Sequence, residues 1–210
     1  MPPAIDQLLF GYQDGHELLA GSMQIDARTE AELLPHVDAR FEDSSDHYLV
    51  GLWIKGLAKF MLTRIWPAPE LPRPGAVWAH ALLIDETALG EIDPLVLLGC
   101  FRRPEGGDLS RYQARLHLSG SSQDLQRADV PRLLMVALSK AVYEGDGAGS
   151  VVIWPDESLA EIGLLALWGI LPLRARRDFS FRTRGRARTG SSRYQVQVAT
   201  QLAGRSATEA

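Results

Sequence analysis

Four side chains in this 210-residue chain are suited to proton transfer: Tyr12, Asp14 and His16 near the N-terminus, and His80 far along the sequence. Asp14 and His16 are two residues apart, so a tight turn between them lets an acid and an imidazole converge. With His80 they would form an acid/base set of the hydrolase type, or a weak metal site. The same residues have a plainer reading. Asp14-Gly15 is a favoured two-residue hairpin turn, because both positions accept φ > 0, and His16 is then a surface residue beside it. His80 sits in an apolar run and reads first as a core histidine that must find a hydrogen-bond partner. No H-E-x-x-H or C-x-x-C spacing supports a metal. Cys100 ends an apolar run with no paired histidine nearby and reads as a small buried hydrophobe. No serine lies in G-x-S-x-G. No catalytic residue is therefore assigned, Asp14, His16 and His80 remain weak candidates, and no cofactor is expected.

Binding is the stronger theme. Between Arg174 and Arg193 there are eight arginines and one acid, Asp178, or about +7; the chain's net charge of −4 leaves about −11 for the rest. The stretch R-A-R-R-D-F-S-F-R-T-R-G-R-A-R could meet phosphates of nucleic acid or an acidic protein surface, with Phe179 and Phe181 as stacking faces. Equally, the phenylalanines point into the core and the arginines form a solvated face. The partner-binding residues expected on this reading are Arg177, Arg182, Arg184, Arg186 and Arg188, joined by Pro72 and Arg73 of a proline-rich stretch.

The elements that must position these groups follow from periodicity. Residues 7–22 predict a hairpin with arms 8–12 and 17–22. Thr29 and Glu32 match a capping box ahead of a short helix bearing Leu33, Leu34 and Val37, with Pro35 inside it. Residues 48–56 and 59–66 predict two strands. Four prolines, at 67, 69, 72 and 74, predict a stiff, extended crossing. Ala76–Ile84 follows as a strand apolar on both faces, which belongs in the middle of a sheet.

Further on, Asp85 caps a short helix, and Asp93-Pro94 starts another with Leu95, Val96, Leu98 and Phe101 inward. Tyr112–Leu118 alternates as a strand. Asp129 caps an amphipathic helix that includes Leu133 and Leu134 and stops at Gly145. Ser150–Trp154 reads as a buried strand, and Asp156 caps an apolar helix ended by Pro172. Two strands, 177–184 and 193–199, flank a basic loop at 185–192, with Gln195 and Gln197 on a wet face. Runs of strands followed by mixed strands and helices argue an α+β fold with an antiparallel or mixed sheet. One domain over 1–203 is expected, with a tail at 204–210.

Composition agrees with a globular fold, at 46% apolar and 23% charged residues. One cysteine excludes an intramolecular disulfide and suits a reducing cytosol. The start, M-P-P-A-I-D, lacks the basic and apolar regions of a signal peptide, and no apolar run is long enough to span a bilayer. A cytoplasmic protein is expected. Neither G-x-G-x-x-G nor G-x-x-x-x-G-K-[ST] occurs.

Three segments together carry a resemblance: Q-L-L-F-G-Y-Q-D-G-H-E-L-L-A-G-S at 7–22, W-P-A-P-E-L-P-R-P-G-A-V-W-A-H-A-L-L-I-D at 66–85, and L-P-L-R-A-R-R-D-F-S-F-R-T at 171–183. In order and spacing they resemble the N-terminal domain of bacterial GTPase-associated proteins, over about residues 5–200. The resemblance implies an intracellular protein of GTPase-centred conflict systems that respond to phage or other invaders. It implies a GTPase or other NTPase-system partner and an effector module, and a domain that usually heads a longer protein. With no phosphate-binding loop of its own, this chain is not expected to be the GTPase. The resulting expectation is a non-catalytic interaction domain, with a hydrolase and a nucleic-acid-binding domain as alternatives.

Overall fold

The computed structural model describes residues 3–38, 41, 46–118, 130–144, 149–187 and 193–202, with backbone alone at 185–187 and 202. Predictions that rest on Glu42 and Asp43, Ser119–Ser122, Asp129, Gly145, Arg188 and the tail at 204–210 lie outside the described residues, as does the side chain of Arg186.

The fold is α+β. Its organising strand is β5 (Val77–Asp85), in which eight of nine residues are buried. β5 pairs on one side with β1 (Ala4–Tyr12) and on the other with β4 (Lys59–Pro67), both antiparallel. With β2 (His16–Gly21), β3 (Tyr48–Ile54), β7 (Ser150–Ile153), β8 (Phe181–Ala187) and β9 (Val196–Leu202), the strands run in the order β2-β1-β5-β4-β3-β8-β9-β7, and a two-residue β6 (Leu116–His117) joins the start of β1. The β7–β9 and β9–β8 pairs are parallel and the rest antiparallel, so the sheet is mixed.

A strand apolar on both faces needs cover on both. On one face Val77, Ala79, Ala81 and Leu83 pack with Leu33 and Val37 of α1 (Ala27–Val37). On the other, Leu82 and Ile84 join Leu134 and Leu138 of α3 (Arg132–Tyr143) and Leu164, Leu165 and Trp168 of α4 (Glu157–Ile170). Phe60 of β4 stacks on Trp168 with ring centroids 4.4 Å apart. α2 (Glu86–Glu91), capped by Asp85, and α5 (Leu173–Asp178) complete the second layer.

Several elements differ from expectation, each for a local reason. α1 starts earlier than the capping box suggests, because the Asp26 side chain accepts the Thr29 N–H; Pro35 lies in its last turn, and the Asp38 N–H bonds Leu34 O. The proline segment is no extended crossing. It is a loop between paired β4 and β5, closed by Ala68 N–H to Ala76 O at 2.9 Å and by a turn from Arg73 to Ala76. Pro74 at the second position and Gly75 at φ +77° are what a type II turn needs. Glu70 anchors the loop by accepting from Trp78 Nε1 and from Arg103, each at 2.7 Å.

Residues 94–100 form a 3-10 helix, whose tighter period buries Leu97 rather than Val96 and Leu98. Tyr112 closes a 3-10 turn instead of opening a strand, because the Gln7 side chain takes the carbonyls of Arg111 and Ala114. Leu133 is 76% exposed on α3 rather than inward. β7 is a half-buried edge strand rather than a buried one. Residues 173–178 are helical, held by Trp168 Nε1 donating to Arg176 O, so β8 begins only at Phe181. Gln197 is buried, and the wet face expected of β9 is interrupted there.

Glu161 is the one carboxylate buried inside α4. Arg64 of β4 donates to its Oε2, and His47 Nε2 lies 3.1 Å from Oε1. Arg64 also stacks over Phe101, 5.1 Å from the ring centroid. The pair ties the helical layer to the sheet. Removing one member strands the other charge, at a cost of about 3–5 kcal/mol. Glu161→Ala should therefore destabilise the fold by about that amount, read from the urea midpoint, whereas Glu157→Ala, on the first turn of the same helix, should shift it by about 1 kcal/mol or less.

Candidate functional site

His80 occupies the middle of β5, opposite Leu9 of β1. Its Nδ1 accepts the Arg102 backbone N–H at 3.2 Å, so Nε2 carries the proton and donates to Gln7 Oε1 at 2.8 Å. Gln7 in turn donates to the carbonyls of Arg111 and Ala114. Phe101 and Tyr112 meet the ring edge-on. Both ring nitrogens are satisfied, and burial, aided by the Arg102 charge, lowers the pKa to about 3. The imidazole is a neutral clasp between the sheet and the 102–114 segment.

His16 lies elsewhere. It pairs across the hairpin with Tyr12 and stacks on Phe10, on the α1 side of the sheet. Leu9, the neighbour of His80, faces the opposite side. The sheet thus separates His16 from His80. Asp14 sits in the exposed turn, where its N–H donates to Glu17 at 3.0 Å. The acid/base set of Asp14, His16 and His80 is not assembled in one pocket. Cys100 is half-buried, which pushes its thiol pKa up, and its Sγ contacts Val96 O. Among the described residues no group of three or more His, Cys, Asp or Glu side chains is placed to hold a metal.

What the hairpin does build is a groove of about 600 Å³ against the proline loop, lined by Tyr12, His16, Asp38, Phe41, Arg73 and Val77 among others. The buried Nε2 of His16 has no partner among the described residues. Burial lowers the His16 pKa; Asp38 opposes this and Arg73 adds to it. Arg73 stacks over Tyr12 at 5.4 Å. Pro72 and Arg73 are both exposed.

The arginine stretch is divided. Arg177, on α5, reaches Glu86, Asp178 and the Trp53 ring. On β8, Phe181 is in the core shared with α4. Arg182 and Arg184 point the other way, toward α1, with Arg182 stacked over Tyr194 at 5.3 Å. Tyr194 Oη lies 2.9 Å from His36 Nδ1. Burial, then Arg193 and Arg182, lower the His36 pKa.

Three consecutive residues at the end of α1 therefore join the pieces. His36 meets Tyr194, Val37 adjoins His16, and Asp38 lines the groove with Arg73. Sequence reasoning missed this junction and the roles of Gln7 and Glu161. The signal for Gln7 was one amide in an apolar strand, and for Glu161 one acid in an apolar helix.

The His80 geometry makes a pH prediction. The folded pKa lies below the unfolded value of about 6.5, so the unfolded chain binds the extra proton and stability falls as pH drops below about 6. That loss should approach about 1.4 kcal/mol per pH unit from this group alone. His80→Gln should remove that part of the slope in urea unfolding between pH 7 and pH 4.

Residues 4–101 match the family model described as GTPase-associated protein 1, N-terminal domain type 1. A search of curated proteins found no match, and a search of solved structures found none. The match takes in the hairpin, α1, β3–β5 and the 3-10 helix at 94–100, and so holds the first two of the three sequence segments that carried the resemblance, while the third, at 171–183, lies beyond it. Over these residues, slightly under half of the chain, the protein matches the N-terminal domain of the GTPase-associated proteins.

Proposed function

We propose that this chain is a non-catalytic interaction domain that couples a GTPase partner to an effector, in the cytoplasm of a bacterium and within an NTPase-dependent conflict system of the anti-phage type. The observation that carries the reading is the match of residues 4–101 to a GTPase-associated N-terminal domain. The placement of the candidate side chains supports it. His80, a weak candidate base by sequence, is a saturated clasp, and the candidate set of Asp14, His16 and His80 is split by the sheet.

The partner surface lies on the α1 face. It combines Arg182 and Arg184 on β8 with Pro72 and Arg73 of the proline loop. Arg177 belongs to the other face, where its ion pairs hold α5 against α2. The division of the arginines between two faces shortens the basic strip available to a nucleic-acid backbone, which favours an acidic protein surface as partner.

The test is co-purification of the tagged chain from its own host, with nuclease treatment as control. A GTPase or effector should be recovered in near-equal amount, unaffected by nuclease. The double variant Arg73→Glu with Arg184→Glu should reduce recovery at least about tenfold, a loss of about 1.4 kcal/mol or more. Recovery of the chain alone, or only with nuclease-sensitive material, would overturn the reading.

A further inference from the structure

The groove between the hairpin tip and the proline loop holds opposite charges that do not neutralise each other. Arg73 and Asp38 both line it and both act on His16, yet among the described residues neither forms an ion pair. Between them in influence sits His16, whose ring is neutral at neutral pH because burial lowers its pKa. Phe41 and Val77 supply apolar wall.

We propose that this groove binds a small zwitterion of the α-amino acid class with an apolar side chain. Arg73 takes the carboxylate, as a guanidinium matches it in a two-pronged fork. Asp38 takes the ammonium as the opposite charge. The apolar side chain lies against Phe41 and Val77. A simple anion such as phosphate satisfies Arg73 alone and meets repulsion from Asp38. A volume of about 600 Å³ is in the range of small-molecule sites. The inference does not rest on the partner reading, and either can fail without the other.

The test is thermal-shift and calorimetric titration of the whole chain with L-leucine and L-phenylalanine, compared with N-acetyl-L-leucine, L-leucinamide and inorganic phosphate. One or both amino acids should raise the melting temperature and give heat of binding, while the two blocked compounds and phosphate should not. Arg73→Gln and Asp38→Asn should each weaken binding about tenfold or more. Both positions are exposed and Asp38 caps α1 through its backbone, so the variants should keep the circular dichroism spectrum of the parent. The proposal is overturned if neither amino acid binds, if the blocked compounds bind equally well, or if phosphate alone binds.

Discussion

The architecture depends on the burial of one strand on both faces. β5 exposes nothing but its last residue to any extent, and its two side-chain sets enter different cores. Water must be excluded from each side independently. Among the described helices α1 serves one face, while α2–α5 and the 3-10 helix serve the other. The consequence for function is direct. A sheet covered on both sides is a partition, and groups on its opposite faces cannot share a proton or a substrate. His16 and His80 are divided by it, and so are Arg182 and Arg177.

Two polar devices reconcile this apolar centre with its neighbours. The His80–Gln7 pair turns a buried imidazole into a source of directed hydrogen bonds, so that a segment with little regular structure is held by side chains instead of a ladder. The Glu161–Arg64 pair does the same between α4 and β4. Both hold elements in one relative position, which a greasy contact alone would specify less sharply. Neither is exposed enough to serve as a docking surface.

Much of this was legible in the sequence because it is local. The hairpin, the alternation in β3, β4 and β5, the Asp85 and Asp156 caps and the largely apolar α4 each declare themselves within a few residues, although the hairpin closes on the three residues 13–15 and not on a two-residue Asp14-Gly15 turn: Tyr12 pairs with His16, and neither Asp14 nor Gly15 takes φ > 0. What was not legible depends on distant partners. The 112–118 segment alternates like a strand, but Gln7, more than a hundred residues away, claims its carbonyls. Arg177 looks continuous with the following strand until Trp168 and Pro172 fix a helix over Leu173–Asp178. The proline loop has the composition of an extended rod, yet pairing of Pro67 with Val77 folds it back. The site was legible only as scattered residues. That His36, Val37 and Asp38 gather the hairpin, the proline loop and β8 follows from where α1 packs, which no spacing encodes.

We infer that partner recognition uses the α1 face and not the helical layer opposite. It is tested most directly by placing a photo-crosslinking residue singly at 73, 184 and 140 of the tagged chain and identifying adducts formed in the host cell. Lys140 is exposed on α3, on the opposite layer. The account predicts one shared GTPase adduct from positions 73 and 184 and none from 140. An adduct to that GTPase from 140, with none from 73 or 184, would contradict it.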